Sequence, residues 1–285
     1  MAVFALFVFP AVAFVLFATD IPFVMNLYYS VFDWNGVGKS MTFVGLDNYI
    51  KIFTHDTLFW KGVRFTLKFS IFYVIIVNVI SLTVAIVMAR ENKVNNVGRA
   101  FYYVPYIISL TAISLIWKFI LGPGFEALYS VTGWEIFNWS WLGTPKLAFY
   151  VVVIMAVWQN LGFYMVNYIA GIIAVPTELL EAARIDGANG RQLLRYIKIP
   201  MIRSSVTICV FMAISRAFMS FDVNLTLTAG GPFKSTELLA LKIYQTAFSN
   251  FDYGKGQAEA LVLFVIVAII SLVQVSVSKK GEVQA

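Results

Sequence analysis

The run LKFSIFYVIIVNVISLTVAIVMA, residues 67–89, carries a single charge, Lys68, in 23 residues. A helix needs roughly 20 mainly apolar residues to cross the hydrocarbon core of a bilayer, so this stretch reads as a membrane-spanning helix. Six such stretches can be counted, at about 3–30, 66–89, 100–121, 147–172, 205–225 and 259–277. The first is interrupted by Pro10 and Pro22, where a kink or an interfacial helix is expected. The fifth is the least apolar, because Arg216 and Asp222 lie inside it. At 60% hydrophobic and 13% charged residues the chain is far from a soluble domain, which is nearer half apolar and a quarter charged. The expectation is an all-α, polytopic membrane protein with six transmembrane helices. No connecting loop is large enough to be a separate domain, so residues 1–285 read as one transmembrane domain.

The same composition removes several chemistries. A single cysteine, Cys209, excludes an intrachain disulfide and a cysteine metal cluster. A single histidine, His55, leaves no pair for a metal or for a nucleophile and its base. No catalytic residue, metal site or cofactor is expected. The net charge of +6 does not call for nucleic acid, because Lys and Arg accumulate on the cytoplasmic side of membrane proteins. With both termini inside, the cytoplasmic segments hold Arg90, Lys93, Arg99, Arg184, Arg191, Arg195, Lys198, Arg203, Lys279 and Lys280, ten cations in about fifty residues. The opposite loops hold eight in roughly twice that length, and their Trp34, Trp60, Trp134, Trp139 and Trp141 fit an interfacial aromatic belt. The charge bias places both termini in the cytoplasm. The opening MAVFALFVFPAVAFVLFA has no Lys or Arg before Lys39, so it reads as a retained first span rather than a cleaved signal peptide.

Two loops invite a functional reading. GVGKS at 36–40 ends like a phosphate-binding loop, but the position that needs the leading glycine is Asp33, whose carboxylate would repel phosphate. The loop at about 175–203 is different, with eight charged residues between Glu178 and Arg203. Pro176-Thr177-Glu178 reads as a helix start with Thr177 as the cap, and Glu178 and Glu181 suit the positive end of the helix dipole. Gly187 can end that helix in the left-handed conformation. Asn189 and Gln192 suggest a second capping arrangement, followed by Leu193, Leu194 and Ile197 on one face and a stop at Pro200. A hairpin that merely connects two spans, its cations touching anionic lipid, would use the same charges. The small side chains of Ala182, Ala183 and Ala188 favour close docking on another protein.

The segment EAARIDGA…IP, Glu181 to Pro200, resembles the "EAA" loop of ATP-binding-cassette importer permeases. The segments at 102–123 (YYVPYIISLTAISLIWKFILGP), 158–183 (WQNLGFYMVNYIAGIIAVPTELLEAA) and 225–248 (LTLTAGGPFKSTELLALKIYQTAF) resemble the carbohydrate-uptake branch, which serves maltose, multiple sugars and glycerol phosphate. The resemblance covers nearly the whole chain. It implies a type I permease fold in the cytoplasmic membrane of a bacterium or archaeon, with a cytoplasmic coupling helix in the EAA loop. It also implies a second permease subunit in a heterodimer, two copies of a cytoplasmic ATPase that bind the ATP, and an extracytoplasmic sugar-binding protein. Carried over to this chain, Glu181 would pair with a basic group on the ATPase, and Ala182 and Ala183 would permit close approach. Asp186 and Gly187 would form the turn. Two departures stand out: Ser204 replaces a second proline often found four residues after Pro200, and the usual basic N-terminal segment is absent, which suggests a shortened start.

Polar groups inside spans are costly and mark pathways or helix contacts. The candidates for a substrate pathway are Asn78, Gln159, Asn160, Tyr164, Asn167, Tyr168, Asp222 and Asn224, with Tyr164, Asn167 and Tyr168 sharing one face. Interhelical hydrogen bonding would use the same residue types. Arg216 and Asp222 are expected to pair with each other or with a gate. The reading is a permease subunit of a sugar importer, half of its pore. The alternatives are a permease for a non-sugar solute such as glycerol phosphate, or a secondary transporter driven by an ion gradient, for which Asp222 would be the carboxylate.

Overall fold

The computed structural model describes residues 2–90 and 92–279. Lys280, counted in the charge bias, lies outside the described residues. In chain order the helices are α1 (Ala2–Val15), α2 (Ile21–Tyr29), α3 (Asp47–Thr54), α4 (Thr57–Met88), α5 (Lys93–Ile107) and α6 (Leu110–Phe119). Next come α7 (Phe125–Thr132), α8 (Glu135–Asn138), α9 (Pro145–Ile173), α10 (Thr177–Ile185), α11 (Gly190–Gln192) and α12 (Ile199–Met201). The last four are α13 (Arg203–Phe218), α14 (Asp222–Leu227), α15 (Leu239–Tyr244) and α16 (Tyr253–Lys279). Five stretches are long and apolar enough to cross a bilayer: Phe7–Tyr29, Thr57–Met88, Leu110–Thr132, Pro145–Ile173 and Tyr253–Ser278. A sixth arises where Gly190–Met201 and Arg203–Phe218, bent by 62°, count as one broken span.

The chain forms two compact units, Met1–Val63 with Leu239–Ile266, and Arg64–Leu238 with Val267–Ala285. In the first, β1 (Phe32–Asp33) and β2 (Thr42–Phe43) make a two-stranded antiparallel hairpin, with Phe32 opposite Phe43. Its core is Ile52, Phe59, Val63, Leu239 and Ala258. Beside it sits a buried charge cluster. Lys242 Nζ lies 3.1 Å from Glu259 and 3.5 Å from Asp56, while Lys255 Nζ lies 2.6 Å from Asp56. Two cations face two carboxylates, so the burial leaves no net charge to be solvated. Burial alone would raise the Asp56 carboxyl, but the bonds it accepts from the Lys255 ammonium and the Phe59 N–H, with Lys242 nearby, bring it down to about 2.

In the second unit α9 is the central element. Proline in its first turn suits a helix start, and most of its length is buried, from Ala148 to Ile172. A helix apolar all round is one that neighbours surround, and here α5, α13 and α14 pack on it. The contact with α5 is close at Gly162, where an added Cβ would overlap the Tyr102 carbonyl oxygen and lie 2.6 Å from Tyr103 Cα.

Three expectations need correction. The third apolar stretch is not one helix over 100–121. The chain leaves α5 at Ile108 and Ser109, which are extended (ψ 141° and 133°), and the membrane-length helix is Leu110–Thr132. Gly-Pro-Gly at 122–124, which reads as a loop, lies instead in a π turn, Ile120–Gly124, that carries the helix onward. The wider ring of a π turn tolerates a proline that has no N–H to give. The fifth stretch is also not one helix over 205–225: α13 ends at Phe218 and α14 starts at Asp222. Aspartate favours helix starts over helix interiors, and that preference won over the apolar average. Finally, Pro200 does not stop its helix. It sits in α12 just after a π turn, Leu193–Lys198, and the bend falls at Ile202.

Candidate functional site

A cavity of about 200 Å³ lies in the second unit, between α4, α9 and the α13–α14 break. The sequence candidates Gln159, Asn160 and Asp222 line it, together with Arg216 and Tyr73. Successive positions on α9 bring the two amides there, and both side chains are almost fully buried. Asn160 donates to the Ala156 carbonyl, but its Oδ1 accepts nothing, and neither does Gln159 Oε1. The Tyr73 hydroxyl is buried against the hydroxyl of Tyr164, which does not itself line the cavity. Buried polar atoms normally find partners, so two bare amide oxygens at one cavity are poised for a polar solute. Tyr73 escaped the sequence reading because it sits in an aromatic run, FYV, beside the more conspicuous Asn78.

Arg216 and Asp222 share the cavity but form no ion pair with each other among the described residues. The guanidinium lies over the Tyr106 ring, 5.1 Å from its centroid, and donates to the Tyr106 hydroxyl at 3.4 Å. The expected pairing with each other is not made, because the helix ends between the two residues.

The other pathway candidates are turned to structural contacts. Asn78 Oδ1 accepts from the Tyr168 hydroxyl at 2.6 Å, joining α4 to α9. Asn167 donates back to the Phe163 carbonyl of its own helix. Asn224, fully buried, donates to Thr236 O and Thr228 Oγ1 and accepts from Leu238 N, so it pins the 228–238 loop and does not line the cavity. The Tyr164–Asn167–Tyr168 face therefore does not act as one surface.

The 175–203 segment is a helical hairpin. Thr177 is the first helical residue rather than the cap, which is Pro176. The end of α10 forms a Schellman closure: Ala188 N–H donates to Ala183 O and Gly187 N–H to Arg184 O, with Gly187 at φ +84°. Asn189 and Gln192 form the expected reciprocal capping box, at 3.0 and 2.7 Å. Glu181, Ala182, Asp186 and Gly187 are exposed and Ala183 is half-buried. Among the described residues Glu181 has no ion-pair partner. Ala183, Asp186, Gly187 and Tyr196 border a shallow hollow on this face. By contrast, the GVGKS loop is closed on itself, because Asn35 Oδ1 takes the N–H groups of Val37 and Gly38.

Residues 78–280 match the family described as "Binding-protein-dependent transport system inner membrane component". The chain is 38% identical over 281 residues to a probable starch degradation products transport system permease protein of Thermoanaerobacterium thermosulfurigenes, covering 98% of this chain and 94% of that one. It is 32% identical over 262 residues to a multiple sugar-binding transport system permease protein of Streptococcus mutans, covering 92% and 90%. A solved bacterial ABC transporter involved in the import of alginate shares the fold, with a TM-score of 0.83 at 16% identity over 98% of this chain and 95% of that one. The ion-gradient alternative is thereby set aside, and Asp222 lies outside any span that would carry it. The chain belongs to the family of inner-membrane components of binding-protein-dependent transport systems.

Proposed function

We propose that this chain is one of two permease subunits forming the pore of an ATP-driven importer of saccharides, and that it has no catalytic site or cofactor of its own. The cavity carries the proposal. The Gln159 and Asn160 amides, each with an unused oxygen, suit sugar hydroxyls, and the Phe69 and Tyr73 rings suit sugar C–H faces. The starch products and multiple sugars named for two relatives support a saccharide. Arg216 in the same cavity favours a second reading, an anionic solute such as glycerol phosphate or an acidic sugar. On the hairpin, α10 acts as the coupling helix. Its exposed Glu181 meets a basic group of an ATPase, of which two copies serve the complex, and a binding protein delivers solute from the opposite side. That arrangement puts both termini in the cytoplasm.

The test is uptake in proteoliposomes holding both permeases, the ATPase and the binding protein. Asn160→Leu combined with Gln159→Met is expected to cut uptake about tenfold or more while the complex still assembles, the scale of one or two lost buried hydrogen bonds. Unchanged uptake of every solute tried would overturn the cavity assignment. Uptake of glycerol phosphate in preference to a neutral maltodextrin would establish the second reading.

A further inference from the structure

A second cavity, of about 400 Å³, lies in the same unit where α4 and α9 end and the hairpin begins. Three cations border it: Arg90 just beyond α4, Arg184 near the end of α10, and Lys198 before α12. No acidic residue lines it, and none of the three side chains has an ion-pair partner among the described residues. Glu178 and Glu181 do not reach it, since the α10 positions that do are Thr177, Leu180 and Arg184. Apart from Thr177 and Gly190 the rest of the wall is apolar, with Ile86, Ile172, Ile173 and Leu193 among its side chains.

Three like charges around one hollow repel each other, and no described residue of its lining supplies a counter-charge. An anion would relieve that repulsion. The apolar wall asks for more than a small anion, because it would lie wet behind one. Ile86 and Ile172 belong to the final turns of two helices long enough to cross the bilayer, so the hollow opens at the boundary of the membrane. Basic pockets between membrane helices at that level suit the headgroups of anionic lipids.

We infer that the Arg90–Arg184–Lys198 cavity binds an anionic phospholipid, its phosphate among the three cations and the start of an acyl chain against the isoleucine wall. The hairpin then has two differently built faces, a small-residue face for a protein and a cationic–apolar face for lipid. The inference does not depend on which solute the cavity between α4, α9 and α13 takes. A bound lipid there would tie the ends of α4 and α9 to the hairpin, so lipid composition would bear on the hairpin's position.

Native mass spectrometry of the full chain in neutral detergent tests this, with phosphatidylglycerol, phosphatidylcholine and inorganic phosphate as separate additives. Phosphatidylglycerol should be retained about tenfold or more over phosphatidylcholine, which has the same chains and a phosphate but no net charge. Arg90→Gln with Lys198→Gln should abolish that preference, and Arg90→Lys alone, which keeps all three charges, should leave most of it in place. Equal retention of the two lipids by the unaltered chain would overturn the proposal, whether or not the variants fold. So would a preference that survives the double substitution. Displacement of phosphatidylglycerol by equimolar inorganic phosphate would show a small-anion site instead and would equally overturn the lipid assignment.

Discussion

Asp56 shows how a single side chain can matter to a unit far larger than itself. Its carboxylate faces Lys242 and Lys255 in a nearly dry cluster. Asp56→Asn keeps the shape and removes the charge, stranding a buried cation, and should destabilise the full chain in detergent by about 3 kcal/mol, the low end for a broken buried pair because Lys255 is partly exposed. The pH dependence has a definite sign. The folded carboxyl, at about 2, lies below its ordinary value of 3.8, so its contribution is present above about pH 4 and is lost as pH falls towards 2. Thermal melts across pH 5 to 2 should show that loss in the wild type and a smaller slope in Asp56→Asn. At the same scale, Asn78 illustrates what a sequence leaves open. An amide in an apolar run is either a solute contact or helix glue, and its bond to Tyr168, 90 residues away, decides for glue.

Among the elements, α9 and α10 carry the sharpest expectations. Gly162 lets α5 touch α9, and Gly162→Ala forces a methyl into backbone that cannot swing aside. A cost of roughly 1–3 kcal/mol is expected from such overpacking, read as a lowered melting temperature of the full chain. An unchanged melt would mean that α5 shifts freely. Gly187 is the opposite case. Nothing lies near its missing Cβ, so the constraint is its φ of +84° alone. Gly187→Val should strain the turn and uncouple ATP hydrolysis from uptake, and Glu181→Lys should weaken ATPase association, with insertion of the chain unaffected in both. Wild-type association and uptake in the two variants would remove the coupling role from α10. These features were legible because caps and glycine turns are local. The helix ends at Ile107 and Phe218 were not, because apolar averaging over a window is blind to a proline two residues upstream or an aspartate that prefers a helix start.

For the whole chain, the charge bias makes a single global prediction. In a Cys209→Ala background, cysteines at Lys93 and Asn189 should be shielded from an impermeant thiol reagent in intact cells, while cysteines at Gly36, Gly133 and Gly231 should label. Labelling at Asn189 would reverse the orientation and put the hairpin out of reach of any cytoplasmic ATPase. The sequence by itself determined the membrane class, the approximate succession of spans, and the hairpin's Gly187 turn and Asn189–Gln192 capping box. Each of these rests on hydrophobic length or on hydrogen bonds closed within a few residues. Only the tertiary structure decided which polar side chains are spent on holding helices together and which are left facing a cavity. Asn224 and Asn160 look alike in the chain, yet one has its bonds completed by Thr236 and Leu238 and the other keeps a bare oxygen beside Arg216. The difference lies in partners brought from distant segments, and a buried polar group takes its role from the partner it finds.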